Sequence, residues 1–176
     1  MDNELHWQNL FKHVDNQSFT HRALANHFKL QNDTNSFLSV YAYKYFSVVS
    51  NCLKKYDPGQ LYLGCRFVSR IFDKQLIATA GAFCDVVSVN IYNADPDVAT
   101  QWHKFSGKPI LIGEFHFQLH SERQVKPLYP TFTTATRINL TSNYLKKCRS
   151  MPFVVGTHWN QFADQPLTGR VGNGEH

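Results

Sequence analysis

Two glutamates are placed where they could do chemistry. Glu114 follows the apolar run Pro109-Ile110-Leu111-Ile112-Gly113 and precedes Phe115-His116-Phe117, while Glu4 follows Asn3 in Asp2-Asn3-Glu4-Leu5. A carboxylate at the end of an apolar strand can stand at the mouth of an α/β barrel. A pair of them suits glycoside hydrolysis. In its retaining form one protonates the leaving oxygen and the other attacks the sugar carbon, with the carboxyl groups about 5–5.5 Å apart. The two glutamates are far apart in sequence, so only the fold can bring them together. From residue types alone a plainer reading stands beside this one: Glu4 as a solvated terminal residue and Glu114 as a structural ion-pair partner.

The elements that would carry these groups alternate. Residues 36–56 place Phe37, Tyr41, Tyr45, Val48 and Cys52 at helical spacing, and Asp57-Pro58-Gly59 stops that helix. A short strand is expected over 61–66, then a helix over 69–81 with Gly81 as its C-cap. The β-branched run 85–90 reads as a second strand. A helix from Pro96 to Phe105 leads to the strand 109–113. A loop with Pro127 and Pro130 precedes a long helix near 131–149, and 153–158 is the last strand. Residues 7–35 hold one weak helix near 19–30 and a polar stretch, Gln31-Asn32-Asp33-Thr34-Asn35.

These strands lack strict polar alternation, as strands do when helices cover both faces of a parallel sheet. Polar residues mark their ends: Arg66, Asn90, Glu114 and His158. In an α/β barrel those ends form the catalytic face. Four such ends in register are hard to assign to packing. The expected fold class is therefore α/β, a partial (β/α)8 TIM barrel carrying about strands five to eight with their helices. A closed barrel typically needs about 250 residues, and this chain has 176. Residues 1–176 are thus expected to be one domain, the C-terminal portion of a catalytic barrel, with Met1–Leu5 as the polar end of a preceding strand.

Composition agrees with a folded domain. The chain is 43% hydrophobic and 14% aromatic, which excludes disordered, collagenous and coiled-coil classes. No run approaches the roughly 18 apolar residues of a membrane span, and no basic segment followed by an apolar run suggests a signal peptide at the start. The net charge of +5 comes from 18 Lys and Arg against 13 Asp and Glu, scattered along the chain. No nucleic-acid partner is expected without clustering. Cys52, Cys65, Cys84 and Cys148 form no CxxC pair and read as reduced, structural residues.

The runs Asp2-Asn3-Glu4-Leu5, Leu61-Tyr62-Leu63-Gly64-Cys65-Arg66-Phe67 and Asp85-Val86-Val87-Ser88-Val89-Asn90-Ile91-Tyr92 resemble barrel-strand motifs of β-agarases. So do Gly113-Glu114-Phe115-His116-Phe117, His158-Trp159-Asn160-Gln161-Phe162-Ala163-Asp164-Gln165 and Gly169-Arg170. The family is glycoside hydrolase family 50, related to the family 42 β-galactosidases. The resemblance implies retaining hydrolysis of β-1,4 galactosidic bonds in agarose or a related galactan, with no cofactor. It makes Glu4 the acid/base, preceded by Asn3 on the sugar 2-hydroxyl, and Glu114 the nucleophile. Tyr92 falls where a hydroxyl hydrogen-bonds the nucleophile, and Trp159 where a ring stacks on sugar. Glu4 must then hold a proton near neutral pH while Glu114 stays ionised.

Arg66, Asn90, His116 and His158 complete the expected substrate-binding set. Trp159 could equally be a core tryptophan, and Asp164 and Gln165 could simply cap their loop. Glu114, His116, His120 and His158 are possible metal ligands, but they lack the HExxH helix pattern, so no metal site is expected. The chain also departs from the family pattern: Asn160 stands where an aromatic is expected and Gln118 where a glycine is. The partners expected are a galactan and a missing N-terminal half of the barrel. Agar is too large to enter a cell, so the parent enzyme is expected to be secreted or periplasmic. Two rival readings are a catalytically inactive carbohydrate-binding fragment and a metal-dependent barrel enzyme.

Overall fold

The computed structural model describes residues 21–70, 73–119 and 130–160. Two compact units divide the chain, Met1–Tyr41 and Ala42–His176. The long helix α1 (His21–Tyr56) begins in the first. Its polar stretch 31–35, left between the helices expected near 19–30 and over 36–56, is helical. The hydroxyls of Thr34, Ser36 and Ser39 each donate to the carbonyl four residues earlier, at 2.8–3.0 Å. These side chains satisfy themselves against the helix backbone instead of competing with it.

In the second unit α1 buries Ala42, Phe46 and Ser50, one residue per turn along a single stripe. Next come β1 (Arg66–Val68), α2 (Lys74–Phe83), β2 (Val87–Asn90), α3 (Val98–Ser106) and β3 (Ile110–Phe115). The short strands β4 (Gln118–Leu119) and β5 (Pro130–Thr131) precede α4 (Thr134–Ser150) and β6 (Val154–Trp159). β1, β2, β3 and β6 lie side by side in that order, all parallel, and β4 pairs with β5 in a separate ribbon. Parallel neighbours need crossovers, which α2, α3 and α4 provide.

One face of the sheet packs on these helices. Val87, Val89, Ile91, Ile110 and Ile112 are at most 1% exposed and meet Ile77, Ala80, Ala99 and Trp102 in one core. Phe115 stacks flat on Tyr144 of α4 with centroids 4.6 Å apart, and the Tyr144 hydroxyl donates to the Ile91 carbonyl at 3.0 Å. Burial drives that hydroxyl's pKa well above its ordinary value. Cys84 and Cys148 are buried thiols, pushed up to about 12 and about 11 by desolvation, and none of the four cysteines is paired. On the surface Lys147 of α4 binds Asp95 and Asp97, and its ammonium holds the Asp95 carboxyl below its usual range. Among the described residues no helix is long and apolar enough to cross a membrane.

Two expected elements change. The strand expected at 61–66 forms later, at Arg66–Val68, because Gly64 adopts φ +67°, which a pleated strand cannot accommodate. Gly81 does not end its helix: α2 runs to Phe83 and is capped by Cys84. Gly81 serves the crossing of α2 and α3 instead. A Cβ built there would lie 2.0 Å from the Ser106 carbonyl oxygen. Backbone cannot swing aside as a side-chain tip can, so Gly81→Ala must push the helices apart. We expect it to cost about 3 kcal/mol, at the upper end of overpacking penalties, read from urea or thermal denaturation. A loss below about 0.5 kcal/mol would show that the crossing is loose.

Candidate active site at the end of the parallel sheet

The other face of the sheet carries polar side chains beside Leu111 and Gly156. Arg66 pairs in register with Ser88, Ser88 with Leu111, and Leu111 with Gly156, so these residues share that face. Alternation alone would carry Gly113 to the same face and turn Glu114 back among the helices. A β-bulge prevents this. Val89 pairs with Ile112 but the next residue, Asn90, pairs with Glu114, leaving Gly113 as the extra residue of β3. The same two-for-one count appears against β6, where Ile112 pairs with Thr157 and Phe115 with Trp159. One inserted residue thus aims Glu114 into that face and returns Phe115 to the core.

Glu114 is held from three sides. Arg66 Nη1 donates to Oε1 at 2.8 Å, and the Tyr92 hydroxyl donates to Oε2 at 2.5 Å. Asn160 Nδ2 lies 3.2 Å from the same Oε2 and 2.5 Å from the Tyr92 oxygen. Among the described residues every polar group within hydrogen-bond distance of this carboxylate is a donor. The carboxylate retains 22% side-chain exposure, so it is fixed in orientation yet open to solvent. Glu114, Tyr92, His116 and Asn160 cluster at or just past the C-terminal ends of their strands.

Arg66 does not close a strand as expected; it opens β1, and its side chain runs along the sheet to reach Glu114. The route passes over Gly113, where a built Cβ would sit 2.7 Å from Arg66 Cδ, 2.7 Å from Ser88 Oγ and 2.9 Å from Asn90 Oδ1. Gly113 is needed for space, since its φ is not positive. Asn90 closes β2 in register with Glu114, and among the described residues its buried Oδ1 has no hydrogen-bond partner, nor has Ser88 Oγ.

His116 packs edge-on against the Tyr92 ring, with centroids 4.9 Å apart. Its Nδ1 meets the Asn160 carbonyl at 2.7 Å, and a carbonyl can only accept, so Nδ1 carries the proton. His116 Nε2 is buried without a hydrogen-bond partner among the described residues. His158 is exposed and shares the face of Gly156, on the Glu114 side of the sheet.

Trp159 is placed differently from the sugar-stacking expectation. Register puts it with Phe115 on the helix-facing side. Its ring meets Phe115 edge-on at 5.4 Å, and the Arg137 guanidinium of α4 lies 5.3 Å from its centroid. The half-exposed indole thus packs against Phe115 and Arg137 on that side of the sheet. Asn160 is the site residue that sequence reasoning missed. It drew notice only as a departure from an aromatic, and nothing local shows that β6 delivers it to Glu114.

Asn3 and Glu4, the proposed partner of Glu114, lie outside the described residues, as do His120, Asp164, Gln165 and Arg170. Among the described residues no group of three or more His, Cys, Asp or Glu side chains is arranged to hold a metal ion.

A parallel sheet with covering helices and a donor-clamped carboxylate at its C-terminal end is an α/β architecture similar to glycoside hydrolase barrel domains. The comparisons name the group. The chain is 33% identical over 163 residues to β-agarase B of Vibrio sp. (strain JT0107) and 33% identical over 144 residues to β-agarase A of the same organism. These alignments take in 91% and 77% of this chain but 17% and 14% of the relatives, so it spans about a sixth of their length. Among solved structures, an exo-β-agarase superposes with a TM-score of 0.72 at 35% identity, over 83% of this chain and 20% of that one. A further agarase gives 0.73 at 33%, over 84% and 21%. No protein-family profile matches. Over most of its length the chain is thus similar, in sequence and in fold, to one segment of these β-agarases.

Proposed function

We propose that this segment supplies the nucleophile side of a retaining β-agarase that cleaves β-1,4 galactosidic bonds in agarose or a related galactan. The observation that carries the reading is the Glu114 carboxylate, gripped by Arg66, Tyr92 and Asn160 yet open to solvent. A nucleophile must be oriented and reachable; donors on both oxygens support the first, and exposure gives the second. One Glu114 oxygen bonds to the anomeric carbon as the bond to the leaving oxygen breaks, and Glu4 protonates that oxygen. Water, deprotonated by Glu4, then releases the sugar from Glu114.

In this reading β1, β2, β3 and β6 are strands five to eight of a (β/α)8 barrel, and residues 1–176 form the C-terminal portion of its catalytic domain. Strand order, uniform parallel pairing and the bulge at the strand end support that placement. Asn3, Asn90, His116 and His158 are then the sugar-contacting polar groups. The N-terminal half of the barrel is the expected partner, and the whole enzyme acts outside the cytoplasm because its polymer substrate cannot enter.

An activated 2-deoxy-2-fluoro-galactoside tests this directly, because it slows release of a covalent intermediate. The polypeptide carrying this sequence should gain one sugar mass on the peptide that holds Glu114. Hydrolysis of a galactan should first yield the anomer of the bond cleaved, read by proton NMR. A label elsewhere, or the opposite anomer, overturns the assignment of Glu114. Binding of galactan with neither label nor cleavage favours the inactive carbohydrate-binding reading.

A further inference from the structure

We infer that Asn160 is a positioning residue that directs the Tyr92 hydroxyl proton onto Glu114, a role that deepens the proposed function and rests on Glu114 being the nucleophile. A tyrosine hydroxyl has one proton and rotates to suit its neighbours. Asn160 Nδ2 lies 2.5 Å from the Tyr92 oxygen and occupies an acceptor site there. The hydroxyl proton is left to point at Glu114 Oε2, also 2.5 Å away. The orientation of the Asn160 amide follows from the same geometry. Reversed, it would set Oδ1 against the carboxylate 3.2 Å away, two acceptors with no proton between them.

The backbone of Asn160 is pinned on both sides. Its N–H donates to the Phe115 carbonyl at 3.0 Å, extending the β3–β6 ladder by one residue. Its carbonyl accepts from His116 Nδ1 at 2.7 Å, and that imidazole in turn packs on the Tyr92 ring. The side chain therefore starts from a fixed backbone, and a short amide is enough to span Tyr92 and Glu114. This also assigns the two carboxylate oxygens. Oε2 receives Tyr92 and Asn160, whereas Oε1 receives only Arg66 among the described residues. Oε1 keeps the free lone pair and is the oxygen that attacks the sugar.

The test separates positioning from mere packing. In protein labelled with 13C at the tyrosine Cζ, the Tyr92 signal is identified by its loss in Tyr92→Phe. Its hydroxyl proton should appear downfield and exchange slowly, as a proton held by a carboxylate does. In Asn160→Ala, and in Asn160→Asp, which keeps the volume and backbone bonds but loses the donor, this resonance should be lost or move upfield. An unchanged hydroxyl resonance in both variants overturns the inference whether or not the polypeptide turns over galactan. In kinetics, Asn160→Ala should lower kcat about 10- to 100-fold, the usual worth of a hydrogen bond to a charged group, with KM held within about 2-fold. In the Tyr92→Phe background the same change should add little. Full kcat in Asn160→Ala, beside an inactive Glu114→Gln, sinks the role of Asn160 alone; full activity in Glu114→Gln sinks the proposed function instead.

Discussion

Glu114→Gln is expected to lower turnover of an agarose oligosaccharide by on the order of 10⁴-fold or more, while the affinity for that oligosaccharide changes little. The substitution keeps the side chain's length and shape but removes the electron-rich oxygen that would bond to the anomeric carbon, and losses of that order follow removal of a nucleophile. The clamp adds a second cost. Arg66, Tyr92 and Asn160 all present donors to this group. An amide can accept on one atom only, so one donor must face an NH2 and lose its partner. The geometry thus favours an anion at this position over any neutral replacement. Titration calorimetry separates binding from turnover: lost cleavage with retained binding fits the nucleophile role. Turnover within 10-fold of the unsubstituted protein would reduce Glu114 to the structural ion-pair partner that residue types alone allowed.

The α/β layout was legible because buried parallel strands announce themselves as apolar runs. Ile110–Phe115 and Val154–Trp159 sit within a residue or two of where β-branched and apolar residues placed them. Errors cluster where one residue's environment overrides local pattern. Gly81 looked like a helix terminus because glycine favours C-caps, yet the Ser106 carbonyl pressing on it is contributed from a distant part of the chain. The polar stretch 31–35 lies between the two expected helices because Asn, Asp and Thr favour turns, but hydroxyls bonding back to the helix offset that preference.

At the site, residue types pointed to Glu114 and Arg66 because a charged group beside an apolar run is conspicuous, whereas Tyr92 came only from the family resemblance. The difference between Trp159 and Asn160 was not readable. Which of two consecutive residues faces the carboxylate depends on register, and register here depends on bulges that no local signal marks. A large aromatic attracts a stacking role, whereas the short amide beside it reaches the carboxylate.

That register is where the second large effect is expected. Gly113→Ala should lower turnover by about 100-fold, the cost of displacing a reacting group by about 1 Å, and should destabilise the fold by about 1–3 kcal/mol as overpacking does. The added methyl would meet Arg66 Cδ and Ser88 Oγ at 2.7 Å and Asn90 Oδ1 at 2.9 Å. Ser88 is 2% exposed and set in the strand beside the bulge, so it has little room to retreat. Arg66 is exposed and long, so it gives way first, and its movement takes the guanidinium from Glu114 Oε1. Activity should therefore fall through Arg66. Arg66→Met, which keeps the stem and removes the charge, should lose turnover to a similar extent. The double variant should be little worse than either single one, because two changes acting on one contact are not additive. Fully additive losses would mean that the methyl disrupts the bulge itself and turns Glu114 away, which circular dichroism and denaturation of the single variant would register as a larger loss of stability. Unchanged turnover in Gly113→Ala would show that neither the arginine's path nor the bulge constrains the carboxylate.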